Sequence, residues 1–404
     1  MDRVVLHCDL NSFYASVELL RRPELRKLPV AVCGDPSSRH GIILAKNDPA
    51  KRFGVQTAET IWQARKKCPE LILLPPHHQL YREYSQKVNA IYDEYTDLAE
   101  PFGIDESWLD VTHTLHLFGM DGAALADTLR ERVRRELGLT LSVGVSFNKV
   151  FAKLGSDYKK PDATTVISRE SWKEMVWPLP AGDMLYVGDA ARKLLGQYGV
   201  RTIGQLAACP RSMLEDLMGK LGGQLHDYAN GLDREPVRSR HEPETVKSVG
   251  NGSTFPKNLT TRAQVTAGIA LLADSVASRL RRAGLYAGGV HVTVRDPAFR
   301  DRSRQRQLSA PTHLIRDISA AALALTEELW QPPSPIRALT VTAIYLTPES
   351  ETYEQTNLFA AGEGRERQER LEAAMDGIRR KYGGGAIAFG TAKPEDSGGG
   401  SFQK

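Results

Sequence analysis

No run of about eighteen apolar residues interrupts this sequence, so no membrane-spanning helix is expected. The opening stretch, MDRVVLHCDL, is too short and too charged in its apolar part for a signal peptide, which points to the cytoplasm. Cysteine is scarce. Cys8, Cys33, Cys68 and Cys209 are the full set and none forms a CxxC pair, which argues against a zinc site and reads them as free thiols in or near a core. Charge of one sign is also lacking. A net charge of +4 permits a nucleic-acid partner without demanding one, so the distribution of charge matters more than its sum. What is present, 41% hydrophobic and 25% charged residues over 404, suits a globular chain of two to four domains.

The pattern along the chain is mixed α/β. RVVLHCD at 3–9 reads as a buried strand ending in an acid, and SFYASVELL at 12–20 as a helix capped by Asn11 or Ser12. Strands are expected at 29–34 and 41–45, a helix opened by Asn47-Asp48-Pro49, and another helix at 60–69. A helical period over 80–98 precedes a hairpin carrying Asp105-Glu106, then a helix at 122–138 and a strand at 141–146. With the segment after the first helix set aside, this is the succession of a ferredoxin-like unit. Residues 150–233 read as mostly helical. There YVGDAARKLLGQYGVRTIGQLA is either a DNA-binding helix-hairpin-helix, its glycines letting backbone amides near a phosphate, or an ordinary αα-hairpin. Polar, proline-containing REPVRSRHEPE at 234–244 reads as a linker. A second α/β unit follows with strands at 245–254, 289–295, 303–309 and 336–346 and helices at 261–283 and 312–330, then a polar tail with a helix near 365–382.

Three acids carry the chemistry. Asp9 lies between VVLHC and LNSF, and Asp105 and Glu106 lie inside FGIDESWL. A carboxylate among apolar flanks is costly unless paired or metal-bound. Three carboxylates and the Leu10 carbonyl suit two Mg²⁺ ions beside a triphosphate. Tyr14, next to Phe13 after the first strand, could lie against a nucleotide sugar and reject a 2′-hydroxyl; otherwise it is a core aromatic. Lys51 and Lys160 are candidates for triphosphate charge, with Lys159 read as a solvated surface lysine. Arg300, Arg302, Arg304 and Arg306 alternate, so a strand would align them on one face along a phosphate backbone, or they defend an edge strand. QTNLF at 355–359, with Gln355, Leu358 and Phe359, has the form of a docking peptide on a tail.

HCDLNSFYASVE, FGIDESWLDV, SVGVSFNKVFAKLGSDYKKPD and KSVGNGSTFP together resemble the Y-family translesion DNA polymerases over about residues 1–350. The resemblance implies a palm (1–19 and 80–165), small fingers (20–79), a helix-hairpin-helix thumb (166–233), a linker (234–244), an α/β little finger (245–348) and a tail with a clamp-binding motif (349–404). It implies low-fidelity, template-directed synthesis without proofreading. Asp9, Asp105, Glu106 and the Leu10 carbonyl would hold two Mg²⁺. Tyr14 would be the sugar gate with Phe13 beside it, Lys160 the triphosphate lysine, and QTNLF the sliding-clamp ligand. Primer–template DNA, a dNTP and the clamp are the implied partners of a monomer. Two departures stand out. Asn11 replaces an acid common in the family. Asp48 stands where a tyrosine usually contacts the triphosphate, with Lys51 still supplying charge, so Asp48 either turns outward as a cap or weakens nucleotide binding. The second reading is a DNA- and clamp-binding homologue with an impaired nucleotide site. A nucleotide cyclase on the same palm would leave the helical and arginine-bearing parts without a purpose.

Overall fold

The computed structural model describes residues 2–36, 41–242, 245–351 and 362–388. The chain divides into two compact units, Met1–Pro243 and Glu244–Lys404.

The first unit is built on β1 (Val5–Leu10), whose six residues are all buried. A strand alternates its faces. Leu6, Cys8 and Leu10 join the larger core with α1 (Phe13–Leu20), whereas Val5 packs with Trp108 on the other side. A small inserted sheet follows: β2 (Val30–Cys33), β3 (Ile43–Lys46), α2 (Asp48–Arg52), α3 (Ile61–Lys67) and β4 (Ile72–Leu74), in the order β3-β2-β4. The chain then returns through α4 (His78–Asp93), β5 (Ala99–Pro101), β6 (Glu106–Asp110), α5 (Leu115–Phe118), α6 (Gly122–Leu137), β7 (Leu141–Ser146) and α7 (Lys149–Tyr158). The main sheet has the order β5-β6-β1-β7-β8, with β6 and β7 antiparallel to β1. Apolar residues of α1, α4 and α6 form the core on one face. On the other, α7 lies against β7 so closely that a Cβ on Gly144 would meet the Ala152 carbonyl oxygen at 1.9 Å, so only glycine fits there.

Residues 150–233 are mostly helical, with one strand that the sequence reading did not expect, β8 (Thr164–Ile167): TTVI is β-branched and pairs parallel to β7. Beyond it the chain is helical, with α8 (Trp172–Val176), α9 (Asp189–Gln197), α10 (Ile203–Ala208), α11 (Arg211–Met218) and α12 (Lys220–Ala229) around Leu195, Leu206, Leu214 and Leu225. Gly199 turns the chain between α9 and α10 with φ +76°, a conformation costly for any other residue.

The second unit holds β9 (Ser248–Leu259), α13 (Arg262–Ala283), β10 (Leu285–Arg295), β11 (Asp301–Thr312), α14 (Ile315–Leu329) and β12 (Ile336–Pro348). Its antiparallel sheet has the order β11-β10-β12-β9, and α13 and α14 bury one face over Val290, Val292, Leu339 and Val341. The strands run longer than their apolar cores suggest, because ladder pairing continues into polar residues. α15 (Gly362–Tyr382) docks by charge: Asp376 on Arg281 at 2.8 Å, Arg379 on Asp274 at 2.7 Å, and buried Glu372 accepting the Ile315 amide at 3.2 Å. That carboxylate serves the first turn of α14, whose own cap position, Leu314, offers no side-chain acceptor.

Candidate active site

The three acids meet at one end of β1. Asp9 and Glu106 are direct antiparallel partners, so their side chains share the α7 face of the sheet. Asp105 is the residue before β6, and its carbonyl accepts the Leu10 amide at 3.0 Å. Two lysines stand among the carboxylates. Lys153 Nζ lies 3.2 Å from Asp9 Oδ2 and 3.1 Å from Glu106 Oε1, and Lys160 Nζ lies 2.6 Å from Asp9 Oδ2. Asp157 binds both lysines, at 3.3 and 2.6 Å. Buried His7 reaches from Ser156 Oγ, at 2.8 Å, to a long 3.4 Å contact with Glu106 Oε2.

The electrostatics follow from this packing. Burial, then the Asp9 and Glu106 charges, push the Asp105 carboxyl up to about 6. Burial also raises Asp9, although Lys160 and Lys153 oppose it. Burial would raise Glu106 too, but His7 and Lys153 hold it well below the usual carboxylate range. Burial disfavours the Lys153 ammonium, and the Asp9, Asp157 and Glu106 carboxylates more than offset that. The site thus has an excess of buried negative charge that two ammonium groups only partly balance. Its donors are hard oxygens, the set that Mg²⁺ takes. Among the described residues no three His, Cys, Asp or Glu side chains are already gathered as a ligand cage, and Lys153 and Lys160 are the groups that bind the carboxylates.

Phe13 and Tyr14 part company at the start of α1. Phe13 is in the core, whereas Tyr14 is only partly buried and is stacked on Tyr81 at 4.0 Å between centroids, with 15° between planes. Burial and the Asp105 charge raise the Tyr14 phenol. Tyr81 is itself fixed: its hydroxyl donates to buried Glu18 at 2.6 Å, which also binds Arg22 at 2.8 Å and His77 at 2.7 Å. Ser12 holds the helix-start position with φ +51° and makes no capping bond.

The family model of the impB/mucB/samB family matches residues 8–157, and the model of its C-terminal domain matches residues 246–358. A protein from Acetivibrio thermocellus named DNA polymerase IV is 46% identical over 383 residues, covering 95% of this chain and 96% of its own. One from Bacillus subtilis named DNA polymerase IV 1 is 36% identical over 399 residues, covering 98% and 94%. The chain belongs to the Y family of DNA polymerases. A solved Y-family DNA polymerase chimera is similar in fold, with a TM-score of 0.75 at 22% identity, covering 85% of this chain and 99% of that one.

Within this Y-family member, sequence reasoning missed Lys153 and Tyr81. The i, i+4 spacing of Lys153 and Asp157 sets the two on one face of α7, but it gives no sign of the carboxylates that Lys153 meets on β1 and β6. Helix α2 is capped by Asn47, whose side-chain oxygen accepts the Ala50 amide at 3.1 Å, so the cap is not Asp48. Asp48 points to solvent, 53% exposed, and pairs with Lys51 at 2.8 Å. Of the arginine row, Arg302, Arg304 and Arg306 lie in β11 opposite Val294, Val292 and Val290, so they share one face of an edge strand. Arg300 precedes the strand and is tied to Asp296 at 2.8 Å, and Arg306 pairs with Glu328. Among the described residues Arg302 and Arg304 have no ion pair. Gln355, Leu358 and Phe359 lie outside the described residues. No described helix is long and apolar enough to cross a membrane.

Proposed function

We propose that this chain is a template-directed, low-fidelity DNA polymerase for translesion synthesis, transferring dNMP to a primer 3′-hydroxyl without proofreading. The observation that carries the reading is the meeting of Asp9, Asp105 and Glu106 at one strand end, with Lys160 beside them. Asp9, Asp105, Glu106 and the Leu10 carbonyl are the groups that would hold two divalent cations. Bound there, such ions activate the attacking oxygen and stabilise the leaving one. The chain's own groups divide the remaining work. Lys160 can leave Asp9 for a triphosphate, since Asp157 is a second partner in reach. Tyr14 stands against the sugar, and Arg302 and Arg304 are free to hold phosphates of primer–template DNA. The division into palm, fingers, thumb and little finger, with boundaries as read from the sequence, goes with this function.

Primer extension with Mg²⁺ and all four dNTPs, on undamaged and abasic templates, tests the reading. No incorporation beside a working control polymerase sinks it. Deleting residues 355–359 is expected to remove the stimulation by a sliding clamp and leave clamp-free extension nearly unchanged. An equal loss in both assays counts against docking.

The second reading, impaired nucleotide binding, rests on the Asp48–Lys51 pair. An exposed pair of this kind is worth only about 0–1 kcal/mol, less than Lys51 gains from a triphosphate, so Lys51 can change partner. Asp48→Tyr releases Lys51 and adds a phenolic donor. The expected result is a dNTP KM lower by about tenfold with kcat little changed. An unchanged KM removes Asp48 from the nucleotide site.

A further inference from the structure

Trp62 is the one tryptophan of the chain that the fold does not use. Trp108 and Trp330 are buried, and Trp172 and Trp177 pack edge-to-face in the helical core at 5.5 Å, whereas Trp62 is 71% exposed. Its backbone is nonetheless well fixed. Thr60 and Gln63 form a reciprocal capping box, and Ile61 and Ala64 anchor the inner side of α3 in the core of the small sheet. The outer side carries Trp62, Arg65 and Lys66, at i, i+3 and i+4. Lys66 Nζ sits 5.5 Å from the indole centroid. Lys67 is occupied by Glu59 at 2.5 Å and the Gly54 carbonyl at 2.9 Å, but among the described residues Arg65 and Lys66 make no ion pair. The inserted segment that carries α3 is lopsided in charge. Residues 20–79 contain eleven Lys and Arg against five Asp and Glu, a net +6 in a chain whose total is +4.

We propose that Trp62, with Arg65 and Lys66, is a stacking platform for single-stranded DNA, the unpaired part of the template strand. The proposal rests on the polymerase reading above. A preordered ring with an open face gains most from a flat partner, and uncompensated cations gain most from phosphates. Duplex DNA is excluded as the ligand, because paired and stacked bases present no face to a lone ring. A protein partner fits less well: no second apolar side chain lies on this side of α3, so the patch has no apolar centre of the kind that protein contacts use. The platform would hold unpaired template near the enzyme without touching the reacting atoms.

The test uses the full chain and two labelled primer–templates, one with about ten unpaired template nucleotides and one with a single unpaired nucleotide, read by fluorescence anisotropy. Trp62→Ala is expected to weaken binding of the long-overhang DNA about tenfold and leave the short-overhang DNA within about twofold. Trp62→Phe is expected to keep most of the affinity. Lys66→Glu is expected to weaken long-overhang binding and flatten its salt dependence. Oligothymidylate is expected to quench wild-type tryptophan emission, and that quenching is expected to disappear in Trp62→Phe. Equal affinity of wild type and Trp62→Ala for both DNAs, the result a protein-docking surface would give, overturns the proposal, as does an equal loss on both. Failure of wild-type extension on either template counts against the polymerase reading alone, because the binding comparison needs no catalysis.

Discussion

Asp9→Asn is expected to slow primer extension by at least about a thousandfold while the chain stays folded and still binds primer–template DNA. The magnitude comes from what one oriented group at a charged transition state is worth, about two to three orders of magnitude, with the loss of a cation ligand added. Folding should survive because the neighbours of Asp9 have other partners. Lys160 keeps Asp157 at 2.6 Å, and Lys153 keeps Glu106 at 3.1 Å and Asp157 at 3.3 Å. No buried ammonium is left alone, the situation that makes broken buried pairs expensive. DNA affinity should hold or rise slightly, since the substitution removes one negative charge from a site that receives phosphates. Single-turnover extension, anisotropy with labelled DNA and a thermal melt separate the three quantities. Glu106→Gln should behave alike, because Glu106 faces Asp9 across the sheet. Extension by Asp9→Asn within tenfold of wild type would falsify the metal assignment.

The parts of this site that were legible in the sequence are those written in strand periodicity. VVLHCDL announces a buried strand with an acid near its end, and a second acid inside ESWLD must then find a partner. Lys153 was not legible. A lysine on an amphipathic helix reads as solvated, and only the close seating of α7 on Gly144 brings it between two carboxylates. The direction of Asp48 was undetermined for a related reason. Asn47 and Asp48 could each cap the helix, and Asn47 prevails because its side-chain Oδ1 also accepts the Val30 amide at 2.9 Å and its Nδ2 donates to the Leu28 carbonyl at 2.8 Å. Those are tertiary contacts, invisible to local pattern. Alternation placed three of the four arginines on one face. It failed at Arg300, where Asp296 accepts the Arg300 amide at 3.0 Å and ends the ladder one residue short. The four-residue strand at 164–167 was lost because so short a β-branched run carries no period of its own.

Tyr14→Ala is expected to lower discrimination against ribonucleotides by about a hundredfold, read as the ratio of kcat/KM for dNTP and NTP, with deoxynucleotide incorporation reduced much less. The argument is about stiffness. A steric wall rejects a hydroxyl only if it cannot move aside, and an exposed tyrosine on an unbacked helix would rotate away. Tyr14 cannot do so freely, because its ring lies flat on Tyr81 at 4.0 Å. Tyr81 is held in turn by the buried Glu18 carboxylate, which contacts to the partly exposed Arg22 and His77 also fix. Two further variants separate the wall from its support. Tyr14→Phe keeps the ring and should keep discrimination within about threefold, since the wall is steric rather than polar. Tyr81→Ala leaves Tyr14 intact but removes its backing, and should admit ribonucleotides to an intermediate extent. If Tyr81→Ala selects sugars as wild type does while Tyr14→Ala does not, the wall is rigid without Tyr81. If Tyr14→Ala itself selects as wild type does, the sugar is read elsewhere and Tyr14 belongs to the core.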